Sequence, residues 1–150
     1  MADDVVVRIK VHSREVKRML NKMEKNARSF KPVFVEAERT LKRAYTANFA
    51  SEGGAVGGWA PLDADYAAWK AKHYGMAPKL VQNGQLFQSI SNLNVRDIGD
   101  TKAVFGTDLP IAKFHQYGTW SMPERRLIFE PPMFARNLAQ DAADHVLKGA

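Results

Sequence analysis

The chain has 150 residues, 45% hydrophobic and 25% charged, an ordinary balance for one globular domain spanning 1–150 and enough chain to bury roughly 70% of its unfolded surface. It has no cysteine, which excludes a disulfide scaffold, a thiolate-ligated metal and thiol chemistry, and no run approaches the roughly 18 consecutive apolar residues of a membrane span. The net charge of +6 gathers at one end: residues 1–50 carry 12 Lys/Arg against 6 Asp/Glu, residues 51–100 carry 4 against 5, and residues 101–150 carry 6 against 5.

The opening MADDVVVRIKV is acidic and then alternating, unlike a secretory leader, so a cytoplasmic site of synthesis is expected. Val5, Val7, Ile9 and Val11 alternate with less apolar neighbours and predict a half-buried strand. Ser13 suits an N-cap. From Ser13 to Phe30 the period turns helical. Val16, Met19, Leu20, Met23, Ala27 and Phe30 fall on one arc, expected to face the core, with Arg14, Lys17, Arg18, Lys22, Lys25 and Arg28 on the opposite side. Pro32 fits the first turn of a second helix running to about Ala50. The pattern is compatible with one kinked rod or an antiparallel pair.

Gly53, Gly54, Gly57 and Gly58 make residues 52–58 a flexible break. A short helix is expected from Asp63 to about His73, with Asp63 as cap. One or two helical turns follow over Asn83–Ser91. Leu93–Ile98 and Lys102–Thr107 predict a hairpin turning at Gly99-Asp100. Pro110–Tyr117 predicts a short helix stopped by Gly118. Leu127–Phe129 reads as a strand, and Met133 to about Leu147 as a last amphipathic helix. Long N-terminal helices, a small central antiparallel sheet and a C-terminal helix, without β–α alternation, define an α+β fold.

Catalytic chemistry finds little footing. His12, His73, His115 and His145 show no metal-ligand spacing, and His115 has no accompanying serine motif. It reads as structural. The glycine cluster lacks the phosphate-loop pattern, and the pairs Asp63/Asp65 and Asp141/Asp144 sit at a helix start and on an outer helix face. No cofactor and no metal are expected. The basic helix face supports one alternative, a nucleic-acid-binding module, although no helix-turn-helix spacing or aromatic RNA-binding motif accompanies it. Trp59 and Trp69 read as core anchors and Trp120 as an exposed interface anchor.

Several short segments occur in a telling order. A Phe closes a long helix, a Gly-rich stretch follows, and then comes Trp59-Ala60-Pro61-Leu62, with Lys70 eight residues after that leucine. Next are Leu80-Val81-Gln82-Asn83-Gly84-Gln85-Leu86 with Ser89-Ile90, then Val104-Phe105-Gly106-Thr107. Ile111-Ala112-Lys113-Phe114-His115-Gln116-Tyr117-Gly118 and Pro123-Glu124-Arg125 complete the series. Over residues 45–130 this order resembles the phage virion morphogenesis family, the tail-completion and head–tail joining proteins of tailed bacteriophages.

The resemblance implies a non-enzymatic virion part. It would form a homo-oligomeric ring, commonly of six subunits, at the head–tail junction, with neck, connector or tail-tube proteins as partners and DNA passing through. It would be made in the host cytoplasm and end in the virion, with no membrane partner. On that reading Gly53, Gly54, Gly57, Gly58, Trp120, Met122 and Arg125 are expected at partner contacts. Trp59, Leu62, Gly84, Leu86, His115, Gln116, Tyr117 and Gly118 are expected to be structural.

Overall fold

Helix α2 (Lys31–Ala50) is the spine on which the rest is assembled. Val33, Ala37, Leu41 and Tyr45 recur every fourth residue, and together with Phe49 they bury one face. Pro32 lies in its first turn, where an amide hydrogen has no partner to lose. The structure, a computed structural model, describes residues 14–150; the expected strand at residues 5–11 and the Ser13 cap lie outside the described residues.

Around α2 lie α1 (Arg14–Ala27), α3 (Ala64–Tyr74), α4 (Gln85–Ser91), α5 (Pro110–Tyr117), α6 (Phe134–Leu147) and one hairpin, β1 (Val95–Ile98) with β2 (Ala103–Gly106). The strands pair antiparallel, Val95 opposite Gly106 and Ile98 opposite Ala103. The architecture is α+β, as expected, with helix predominating. Asp63 caps α3, its Oδ1 accepting from the amides of Asp65 and Tyr66 at 3.0 and 3.2 Å. The core gathers Leu41, Tyr45 and Phe49 from α2 with Trp59, Leu86, Ile90, Leu93 and Leu127. Edge-to-face rings join Phe49 to both Trp59 and Phe87.

The two N-terminal helices are separate, broken at residues 28–30, and the corner is tied to the hairpin: the Phe30 amide donates to Asp100 O at 2.7 Å. The apolar arc of α1 does not enter the core. Val16, Met19 and Leu20 are 41–53% exposed and no residue of α1 is buried. The reason is geometric. Asn26 Nδ2 donates to Val146 O and Lys148 O, His145 Nε2 meets the carbonyls of Asn26 and Ser29, and Lys22 lies against Gly149. The contacts therefore run in opposite directions along α1 and α6, and the first eight residues of α1 continue about two turns, or about 12 Å, past the end of α6.

Burial of a carboxylate on α2 is offset by two cations. Glu38 is buried, with Arg96 Nε and Lys42 Nζ each 2.8 Å from its oxygens. Burial alone pushes its carboxyl up, but the bonds and charges of Lys42 and Arg96 outweigh that and hold it below the usual range. A depressed folded-state pKa gives stability that is present at neutral pH and lost as pH falls through the folded value. Glu38→Gln should therefore cost about 1–2 kcal/mol at pH 7, a modest figure because both partners are more than a third exposed. The urea-midpoint curves of the two proteins should converge in acid; parallel curves from pH 7 to 3 would contradict this account.

Candidate partner-binding surface

The end of α2 is reversed by a short, tightly bonded turn. The glycine segment, read from its composition as a flexible break, is folded here into a bonded turn. Gly54–Val56 forms one turn of 3₁₀ helix, the Gly53 amide donates to Asn48 O at 2.8 Å, and the Gly58 amide returns to Gly53 O at 2.8 Å. Gly53 has φ +89° and its missing side chain leaves room for the Trp59 ring, which a Cβ would overlap. Asn48, fully buried, accepts from the Ala55 amide and donates to Arg126 O; Trp59 Nε1 donates to the same carbonyl at 2.9 Å. Glu52 clamps the far side, accepting from the Lys79 amide at 2.8 Å and pairing with Lys79 Nζ at 3.1 Å. Gly54, Gly57 and Gly58 remain at the surface, whereas Gly53 is buried.

A second knot forms where α5 meets the chain that follows it. Gln116 Oε1 accepts from the amides of Leu127 and Ile128 at 2.8 and 2.9 Å, and its Nε2 donates to Ile128 O at 2.8 Å. These bonds occupy the backbone groups that a sheet would have used, so Leu127–Phe129 is an irregular segment bent at Ile128 rather than the expected strand. His115 is half-buried, its carbonyl accepting from the Arg125 amide at 2.7 Å; burial, with the nearby Arg125 charge, pushes its imidazole below the usual value. Gly118, at φ +69°, lets Met122 O and the Glu124 amide approach within 2.9 Å of where a Cβ would stand. Thr119 and Met122 then close a tight bridge. Trp120 stands at its tip, 99% exposed. Tyr117, expected to be structural, is instead exposed.

Arg125 is not a surface contact in the protomer. It is 4% exposed, with Nε donating to Ala60 O at 3.0 Å and Nη2 to Pro61 O at 2.7 Å. It lines a cleft of about 560 Å³ between α3, the segment before α4, and α5. Leu62, Leu86 and Met122 line this cleft too, Leu86 buried and Met122 half-buried, while Gly84 stands just before α4. Lys70 lines it from α3, also 4% exposed, its Nζ donating to Ala77 O and Pro78 O. Burial pushes the Lys70 ammonium below its usual value, with Glu52 opposing. Sequence reasoning placed Lys70 only as a motif position. The signal for its burial is the alanine-rich α3, which leaves the lysine stem the longest inward group.

The outer faces carry further features. Trp69, expected in the core, is on the exposed side of α3, stacked on His73 with centroids 4.6 Å apart and flanked by Tyr66 and Tyr74. Arg14, Lys17, Arg18, Lys22 and Lys25 on α1, and Arg28 just past its end, are all exposed; Arg28 pairs with Glu24 at 2.8 Å. Among the described residues no group of three His, Asp or Glu is placed to hold a metal, and no helix is long and apolar enough to cross a membrane.

The model of the phage virion morphogenesis family matches residues 11–141, and the chain belongs to that family. No curated protein and no solved structure matches it.

Proposed function

We propose that this chain is a non-enzymatic structural component of the head–tail junction of a tailed bacteriophage. Copies assemble into a ring, six being the expected number, that joins tail to head and leaves a passage for DNA. Its neighbours are neck, connector or tail-tube proteins. Membership of the virion morphogenesis family supports the virion role. The observation carrying the assembly reading is Trp120, an almost wholly exposed indole held on a bonded turn. Such a ring contributes little to the protomer and much to an interface that buries it.

The exposed cations of α1 favour a role beside DNA, with that face lining the passage. Light scattering on the purified chain at micromolar concentration tests assembly. A closed oligomer is expected, with Trp120→Ser moving the association midpoint to at least tenfold higher concentration without changing the circular dichroism spectrum. A chain that stays monomeric at every concentration and fails to join isolated tails to filled heads would sink the proposal.

A further inference from the structure

The cleft between α3 and α5 holds two cations, Lys70 and Arg125, each 4% exposed. Among the described residues neither has a carboxylate within 4.0 Å. Their hydrogen bonds go to neutral carbonyls: Ala77 and Pro78 for Lys70, Ala60 and Pro61 for Arg125. That leaves one N–H of the ammonium and the Nη1 end of the guanidinium without a described partner. Glu52 supports the Lys70 charge only from a distance and no carboxylate bonds either cation, so an anion in the cleft would offset the cost of their burial. The remaining walls are apolar at Leu62, Leu80 and Phe114, among others, and polar at Asp63, Gln82 and Ser121. The cleft therefore fits a carboxylate flanked by aliphatic side chains.

The chain carries one such segment at its start, Asp3-Asp4-Val5-Val6-Val7, outside the described residues. Its own cleft is badly placed to receive it. The cleft lies beside Ala60 and Pro61, just beyond the Ala50 end of α2, whereas α1 joins at the Lys31 end, about 30 Å away along a helix of 20 residues. From that corner α1 runs past the end of α6, carrying Arg14 further from the cleft, to a separation on the order of 40 Å. The ten residues from Asp4 to Arg14 span at most about 35 Å when fully extended.

We propose that residues 3–7 of one copy dock in the Lys70–Arg125 cleft of the next, with the aspartates on the two cations and the valines on the apolar walls. This deepens the ring reading and rests on it. Donor and acceptor lie at opposite ends of the protomer, so the contact is head-to-tail, the type that propagates around a ring. The exposed Val16, Met19 and Leu20 of α1 then lie along the arm that reaches the neighbour.

The test is fluorescence anisotropy with a labelled peptide of residues 2–8 and full-length chain carrying Asp3→Asn and Asp4→Asn, which frees the cleft of its own ligand. Saturable binding is expected, weakened at least tenfold by asparagines at the two aspartate positions of the peptide. Phe114→Glu in the chain, at a half-exposed wall position that leaves folding intact, should weaken it similarly. Equal binding of both peptides, indifference to Phe114→Glu, or no binding would overturn the inference. Light scattering on the same variant separates the two ideas. Peptide binding by a chain whose parent never oligomerises defeats the ring alone, while undiminished assembly of the Asp3→Asn, Asp4→Asn chain defeats the docking alone.

Discussion

Replacing Gln116 by alanine is expected to lower the free energy of unfolding by about 2–4 kcal/mol. The side chain makes three hydrogen bonds to the backbone of Leu127 and Ile128, and Leu127 is fully buried. Without the amide, two N–H groups and a carbonyl in a poorly hydrated place lose their partners together. The cost of stranded polar groups, rather than the net value of each bond, sets the size of the effect. Gln116→Glu isolates the geometry: its carboxylate still accepts from both amides but meets Ile128 O without a proton. It should fall between wild type and alanine at pH 7. Urea unfolding followed by circular dichroism measures all three proteins, and an alanine variant with an unmoved midpoint would show that the Leu127–Phe129 segment holds itself in place.

A loss of similar size is expected for Trp59→Ala, about 3–5 kcal/mol. The ring is buried, packs edge-on against Phe49 at 5.1 Å and donates to Arg126 O. Its removal opens a large cavity at the junction of α2, the glycine turn and the segment around Arg126. Gly53→Ala attacks the same junction from the backbone side, since φ +89° disfavours any side chain and the new methyl would overlap the indole. Because both changes act on one contact, they should combine non-additively. The double variant should be less destabilised than the two single losses added together, as the small side chain at position 59 removes the overlap with the indole, though not the close approach to the residue-59 backbone nitrogen. Denaturant midpoints of the four proteins close that cycle, and strict additivity would mean that glycine is needed at position 53 for its φ and for the nearby backbone rather than for the indole.

Much of this architecture was legible from periodicity. The stripe of α2, the Asp63 cap, the hairpin and the C-terminal helix follow from local spacing and turn chemistry, which need no knowledge of distant partners. The readings that changed depended on such partners. The α1 arc is more sharply amphipathic than the α2 stripe, yet amphipathicity says only that a face wants cover, and here α6 ends before covering it. The glycine run looked loose because composition cannot show Asn48, Glu52 and Trp59 converging on it. Leu127–Phe129 has the composition of a strand, but Gln116 reaches its backbone first.

The candidate contact residues divide the same way. Trp120 is exposed as its Gly-Thr-Trp-Ser setting suggested, because it stands at the tip of the turn that Thr119 and Met122 close. Arg125 was expected at a partner contact on the strength of the turn-rich sequence around it, and it is buried because two backbone carbonyls, more than sixty residues earlier in the chain, receive it. Tyr117 and Gln116, adjacent in one motif, take opposite roles through the turn geometry of α5, which sends the amide inward and the phenol outward.

The turn that carries Trp120 has a bearing on how tightly a partner could be held. Thr119 and Met122 bond across it, Gly118 admits the returning backbone, and the Arg125 amide anchors the exit to His115. A docking loop commonly gives up conformational freedom when it meets its target, and that entropy is subtracted from the affinity. Here the backbone freedom has already been lost in folding. Only the two torsions of the indole remain to be fixed, so most of the surface that Trp120 buries would appear as binding free energy.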